Sequence, residues 1–283
     1  MKAISVFLIS LLSIGWAHDQ SVPDSIQVTN ANWHTTHISK QIVWQEAHFD
    51  SLFKSKQNVN LIVLKNRRRK PLVALASAGD SLKPTSWFGK RFNALVALNG
   101  TFFDTKKGGS VDLIKIDGRL IDTTRLSSKT LPEHQQSAIV IHRNRVRLVH
   151  GGNQPGWDRQ LSDDNIITTG PLLLQNGIPH LLLKNAFNDN RHPLTCLCLR
   201  PRRRLILATI DGRNANAQGM NLHELTSLMR WLGCRDAINL DGGGSTTLWI
   251  AKQSDNGVVN YPSDSKQWIH TGERPVSNVI LIR

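Results

Sequence analysis

The stretch NLDGGGSTTLWI, residues 239–250, ends an apolar run with an acid and three consecutive glycines, then opens into a hydroxyl-rich run with Trp249 and Ile250. Three familiar glycine loops fail to account for it. A nucleotide P-loop needs a Lys followed by Ser or Thr after its second glycine, and no Lys is in place. A dinucleotide fingerprint has its glycines opening into a helix, whereas these open into a β-like run. The Gly-x-Ser-x-Gly elbow of α/β-hydrolases is absent. The reading that remains is a strand–loop–strand turn. Glycines there permit positive φ and close approach of a ligand to the main chain, and their amides can form a nest for anionic oxygens. The plainer alternative is a tight structural turn in which Asp241 caps its own amides.

Working outward, the dominant pattern is short strands joined by turn chemistry. Strands are expected at 60–65, 72–77, 94–98 and 276–282. Residues 112–116 and 119–121 form a hairpin around Asp117-Gly118, a pair suited to positive φ at both central residues. Further hairpins are expected for 137–142 with 146–150, for 172–175 with 178 onward, and for 195–199 with 205–210. One helix is well marked. Asn221 and Glu224 form a capping-box start; Leu222, Leu225, Leu228, Met229 and Leu232 recur at helical spacing; Gly233 can end the helix in a left-handed cap. Residues 237–240 then form the short strand entering the glycines, and a weaker helix is expected over 47–54. The fold class is α+β: a single domain, with a mixed, mostly antiparallel sheet built from hairpins and a few packed helices. Residues 1–17 read as a signal peptide, 18–58 as an N-terminal extension and 59–283 as the domain proper.

With 283 residues, 40% hydrophobic and 20% charged, the chain can bury a core and is not disordered. It starts MKAISVFLISLLSIGWAHDQ: a basic Lys2, an uncharged apolar run, then Gly15 and Ala17 where a signal peptidase inspects. This predicts cleavage after Ala17 and an exported protein, periplasmic or secreted. No later stretch approaches the roughly 18 apolar residues of a membrane span, so no stable membrane insertion is expected. Of the three cysteines, Cys196 and Cys198 share one face of a strand, with Cα atoms about 7 Å apart. Cys234 with one of those two is the expected disulfide, and no zinc-site spacing occurs.

The net charge is +14, much of it in two basic runs at 67–70 and 202–204. Both fall where hairpin tips are expected. They read as solvated turns or as an attraction to an anionic surface or polymer. No nucleic-acid partner is expected, because no helix-turn-helix, zinc finger or aromatic RNA-binding strand is present.

The glycine turn has company. NGTFFD at 99–104, TIDGR at 209–213 and GERPVSN at 272–278 each place acidic or polar groups at a strand end, which suggests one shared cleft. Taken in order with GPLLL at 170–174, GMNL at 219–222 and NLDGGGS at 239–245, these segments resemble the phosphodiester glycosidase family, which includes the lysosomal enzyme that uncovers mannose 6-phosphate. The likeness spans about 60–283. It implies a hydrolase that cuts the glycosidic bond of a sugar-1-phosphodiester on the sugar side of the phosphate, here in the cell envelope of a bacterium. Family members often carry an Arg-Thr pair where this chain has Leu194-Thr195; Arg191, Arg213 and Arg274 are the candidates to replace that Arg.

Glycoside cleavage passes through an oxocarbenium-like state and uses an acid and a carboxylate base or nucleophile. A phosphodiester leaving group is already a weak base, so guanidinium groups and backbone amides can take the place of strong protonation. Asp241 and Asp211 are therefore expected to do the carboxylate work, with His192 a candidate acid. Asn99 and Ser245 are expected to orient sugar hydroxyls. The amides of Gly242, Gly243 and Gly244, with Arg213 and Arg274, are expected to hold phosphate oxygens. Asp104 and Glu273 are candidate further carboxylates, and Phe103 a candidate sugar-stacking ring. No cofactor is predicted, though a carboxylate-rich cleft could hold Ca²⁺ or Mg²⁺. The expected partner is a phosphorylated sugar or anionic glycan. The competing expectation is a non-catalytic envelope protein that binds an anionic glycan or lipid headgroup. A hydrolase would bring Asp241 and Asp211 within roughly 5 to 10 Å at one pocket; a binder would bury them in separate turns.

Overall fold

The computed structural model describes residues 22–66, 72–125 and 130–283. Its strands form three sheets, and every strand pairing among the described residues is antiparallel. The largest has the order β1 (His34–Ser39), β2 (Ile42–Phe49), β3 (Gln57–Lys65), β14 (Arg204–Ile210), β13 (Leu194–Arg200), β15 (Asp236–Asn239), β11 (Leu172–Gln175), β12 (Ile178–Pro179). The second runs β7 (Arg119–Asp122), β6 (Ile114–Ile116), β10 (Asn165–Thr169), β8 (Ser137–His142), β9 (Arg145–His150). The third runs β16 (Leu248–Ile250), β5 (Val96–Asn99), β17 (Asn278–Ile282), β4 (Val73–Ser77). The α+β class read from the sequence is the class observed.

Period-two alternation explains the layering. In β13 and β14, Leu197, Leu205 and Leu207 point into one core with Leu98 and Ile280 of the third sheet and Ile139 and Ile167 of the second. Cys196, Cys198, Ile206 and Ala208, the intervening residues, point the other way. There they pack under α1 (Asp24–Thr29) and α4 (Leu222–Trp231), which contribute Val28, Leu225 and Met229. The outer face of the third sheet is covered by α2 (Thr85–Arg91), with Phe88 fully buried. α4 starts with the expected capping box between Asn221 and Glu224, and Gly233 just beyond it has φ +77°. The disulfide joins Cys198 and Cys234, Cα–Cα 5.8 Å, and leaves Cys196 as a buried thiol whose pKa burial pushes up.

Two expectations are corrected. Residues 47–54 are not a helix: β2 runs through Phe49 and pairs with β3 along its whole length, followed by a single 3-10 turn at Leu52–Lys54. Ala47 and Phe49 are buried and His48 is exposed, which is strand alternation. The strands either side of the first basic run do not form a hairpin either. β3 belongs to the first sheet and β4 to the third, and residues 67–70 themselves lie outside the described residues. The 202–204 run does sit at a hairpin tip, between β13 and β14. The stretch read as an N-terminal extension supplies β1 and β2, so it is built into the first sheet. The expected signal peptide, residues 1–17, lies outside the described residues. No helix among those described is long and apolar enough to cross a membrane.

Candidate active site

The glycine turn leaves β15, makes one 3-10 turn at Gly243–Ser245, and enters β16 in the third sheet, so it bridges two sheets. It is pinned from below. Asn99 at the end of β5 donates from Nδ2 to the Asp241 carbonyl at 2.7 Å, and its Oδ1 accepts from Thr195 Oγ1 at 2.8 Å and Thr247 N at 3.1 Å. Asp241 N donates to the Gly100 carbonyl at 3.0 Å and Gly243 N to the Pro193 carbonyl at 2.8 Å. Gly243 needs its φ of +59°, while a Cβ on Gly242 would stand 2.7 Å from the Pro193 carbonyl oxygen. A Cβ on Gly244 would overlap the guanidinium of Arg274 and the carboxylate of Asp264, which are paired with each other at 2.7 and 3.0 Å.

Above this turn is a cavity of about 210 Å³, walled by the three glycines, His192, Leu194, Asn239, Arg213 and Arg274, with Phe187 of α3 (Ala186–Asp189) beside them. Asn239 is fully buried, donates to the Gly170 carbonyl at 3.0 Å, and has no partner for Oδ1 among the described residues. A more open depression of about 630 Å³, lined by Leu82, Phe103 and Thr105, shares Arg274 with the cavity. Burial pushes the pKa of Asp241 up to about 6, opposed by the Ser245 hydroxyl, the Gly242 amide and the charge of Arg274. The Ser245 hydroxyl faces this carboxylate without a well-formed hydrogen bond. The pKa of His192 is lowered by burial and by Arg213.

A second acid also raises the Asp241 pKa, and it is Asp112 rather than Asp211. Asp112 is fully buried, accepts from Thr101 Oγ1 at 2.8 Å and Gln135 Nε2 at 3.0 Å, and lies 3.2 Å from His134 Nδ1. Burial raises its pKa. The His134 ring packs on Phe102 at 4.6 Å, Phe102 on Phe187 at 6.0 Å, and Phe187 on His192 at 6.4 Å. A line of rings thus joins the two histidines. The sequence reading missed Asp112 and His134. The available signal was an acid inside the apolar run VDLI, since a buried acid requires a partner.

Other expected site residues lie elsewhere. Asp211 is fully buried and accepts from Asn58 Nδ2 at 2.8 Å, Asn260 Nδ2 at 3.0 Å and Tyr261 N at 2.9 Å; it does not line the cavity. Asn99 is committed to holding the glycine turn. Asp104 caps the amides of Lys106 and Lys107 and faces Arg125 at 3.4 Å. Glu273 accepts from Ser86 N at the start of α2, 3.1 Å. Arg191 is bound to Glu224 at 2.6 Å and to the Phe53 carbonyl, so of the three candidate arginines only Arg213 and Arg274 reach the cavity. Among the described residues no three His, Cys, Asp or Glu side chains converge as a metal site.

Two guanidinium groups and three glycines wall one cavity beside Asp241 on an antiparallel α+β frame. Of the three amides expected to hold phosphate, that of Gly242 donates to Asp241 Oδ1 at 2.9 Å and that of Gly243 to the Pro193 carbonyl, so only the Gly244 amide is left to face a ligand. The chain belongs to the phosphodiester glycosidase family, whose model matches residues 92–283. A curated relative is the SPbeta prophage-derived uncharacterized protein YomE of Bacillus subtilis, 26% identical over 272 residues, covering 81% of this chain. The chain spans only 41% of that relative's length. Among solved structures, a hypothetical protein from Synechocystis superposes with TM-score 0.69 at 14% identity, covering 88% of this chain and 63% of that one. The catalytic domain of zebrafish N-acetylglucosamine-1-phosphodiester α-N-acetylglucosaminidase, auto-inhibited by its pro-peptide, superposes with TM-score 0.67 at 21% identity, covering 89% and 87%. These likenesses establish a shared fold.

Proposed function

We propose that the chain hydrolyses the glycosidic bond of a sugar-1-phosphodiester and acts as an exported, envelope-facing enzyme. The observation that carries this is the juxtaposition of Asp241, its pKa raised to about 6, with Arg274 and the glycine-walled cavity. In this reading the phosphodiester oxygens sit against Arg213, Arg274 and the Gly244 amide, since the Gly242 and Gly243 amides are held by Asp241 and the Pro193 carbonyl. Water attacks the anomeric carbon and gives its proton to ionised Asp241. The bond from that carbon to the phosphate oxygen breaks, and its electron pair leaves with the phosphate, now a monoester. Arg213 and Arg274 offset the charge that grows on the leaving oxygen. His192, with its pKa lowered, is neutral at pH 7 and hydrogen-bonds a sugar hydroxyl. Asp112 with His134 fixes the field that Asp241 feels.

The test is release of free sugar from UDP-N-acetylglucosamine and simple sugar-1-phosphate methyl diesters. Asp241→Asn is expected to lose about 10²-fold or more in kcat. Undiminished turnover in a folded Asp241→Asn protein would remove the assignment. Two observations favour the second reading, a non-catalytic binder of an anionic glycan or headgroup: Leu194 presents an apolar wall to the cavity, and Asp211 is buried in its own set of hydrogen bonds away from it rather than paired with Asp241 at one pocket. Tight binding of the same diesters with no release by the wild type is the result that would establish it.

A further inference from the structure

A second cavity, about 380 Å³, lies where the β13–β14 tip of the first sheet meets β9 of the second. Arg145 and Arg147 come from β9, Arg200, Arg202, Arg203 and Arg204 from the hairpin tip, and Arg235 from just before β15, whose first residue, Asp236, is the one acid in the lining. Its floor is apolar: Val146, Leu199 and Leu205. Arg147 pairs with Asp163 at 2.5 Å and Arg235 with Asp236 at 3.6 Å. Among the described residues no carboxylate lies within ion-pair distance of the other five. Arg200 is half-buried, and burial and Arg204 together press its pKa down. Like charges held together over an apolar floor are unfavourable until an anion joins them.

We propose that this groove holds a linear phosphodiester glycan, so that the chain's substrate is a polymer gripped at one point and cut at another. The proposal deepens the reading of the active site and rests on it for the reaction, though not for the binding. Three observations select the ligand class. The lining cations are all arginines, whose planar forks match phosphate oxygens in pairs. The same strands connect the two sites: Leu194 at one end of β13 walls the active-site cavity and Arg200 at the other lines the groove. Six residue steps of strand put them about 20 Å apart in a straight line; β13 is buried between them, so a glycan reaching both passes over the surface and spans more than that, several sugar units. Finally, no aromatic ring lines the groove to stack on bases. None of the exposed large apolar side chains lines it to enter a bilayer.

The experiment measures fluorescence anisotropy of a labelled synthetic sugar-1-phosphate oligomer, with the Asp241→Asn protein so that the probe stays intact. Duplex DNA of equal charge and phosphatidylglycerol vesicles are competitors. Arg202→Glu/Arg203→Glu, at the exposed tip, and Arg145→Glu, on β9, are each expected to weaken oligomer binding about tenfold or more. The charge-matched control Lys90→Glu/Lys252→Glu, on the third-sheet side, is expected to leave it unchanged. With Asp241 restored, the tip variant is expected to lose kcat/KM on the oligomer and keep it on UDP-N-acetylglucosamine. Equal affinity in the variants and the control overturns the groove. Tighter binding of DNA or vesicles than of oligomer overturns the ligand class. Oligomer bound through the groove but never cut supports the groove and overturns the proposed function instead.

Discussion

Asp241 and Asp211 share a pKa pushed up to about 6 by burial, yet their surroundings differ. Each acid has a folded-state pKa above its unfolded value of 3.8, so the folded state holds its proton longer. Stability is therefore lost as pH rises from about 4 through about 6, and stays lower above that. Asp241→Asn removes this penalty and keeps an oxygen for the Gly242 amide, so its melting temperature at pH 8 is expected to match or exceed wild type. At pH 3 the difference should vanish. Asp211→Asn turns an NH₂ group toward donors from Asn58, Asn260 and Tyr261, and is expected to cost about 1–3 kcal/mol, read as a lower denaturation midpoint. As a base, Asp241 must be ionised, so kcat/KM should climb with pH toward about 6 and level off above it, a limb absent from Asp241→Asn. Gly244→Ala, which sets a methyl against Arg274, should fold but lose about 10-fold or more in kcat/KM. The glycine turn led by Asp241 was legible in the sequence as a strand–loop–strand connection because turn chemistry is local. Asp112 and His134 were not, because 22 positions separate them and only tertiary packing brings them together.

At the scale of elements, α4 and the hairpins could be read because cap, spacing and turn residues all lie within a few positions. The mistaken helix at 47–54 arose in a segment too short for periodicity to decide, and the pairing with β3 settled it. The disulfide was narrowed to Cys234 with one of two partners. The structure chooses Cys198, and it closes a segment of sequence separation 36 that contains β14 and α4. Reduction, or Cys198→Ala with Cys234→Ala, is expected to lower stability by about 3–4 kcal/mol, measured by denaturant unfolding with and without reductant. Arg191, bound to the Glu224 of the capping box, ties the start of α4 to the loop that carries His192.

For the whole molecule, alternation announces strands but does not say which strand each one joins. β3 and β4 look like hairpin partners from their spacing, yet they belong to different sheets, and the candidate site lies where the first and third sheets are stitched by the glycine turn. β17 is the clearest case. It lies between β5 and β4, pairing with both, although about 180 residues of chain separate it from β5. A chain ending before Asn278 should therefore fail to form the third sheet and should be digested rapidly by protease. The order in which the ribosome delivers these pieces then matters: the strand that closes the third sheet emerges after every other strand of the described residues. Until it does, β4 and β5 have no third sheet to join, so the frame under the glycine turn is completed only after every strand of the first and second sheets has been made.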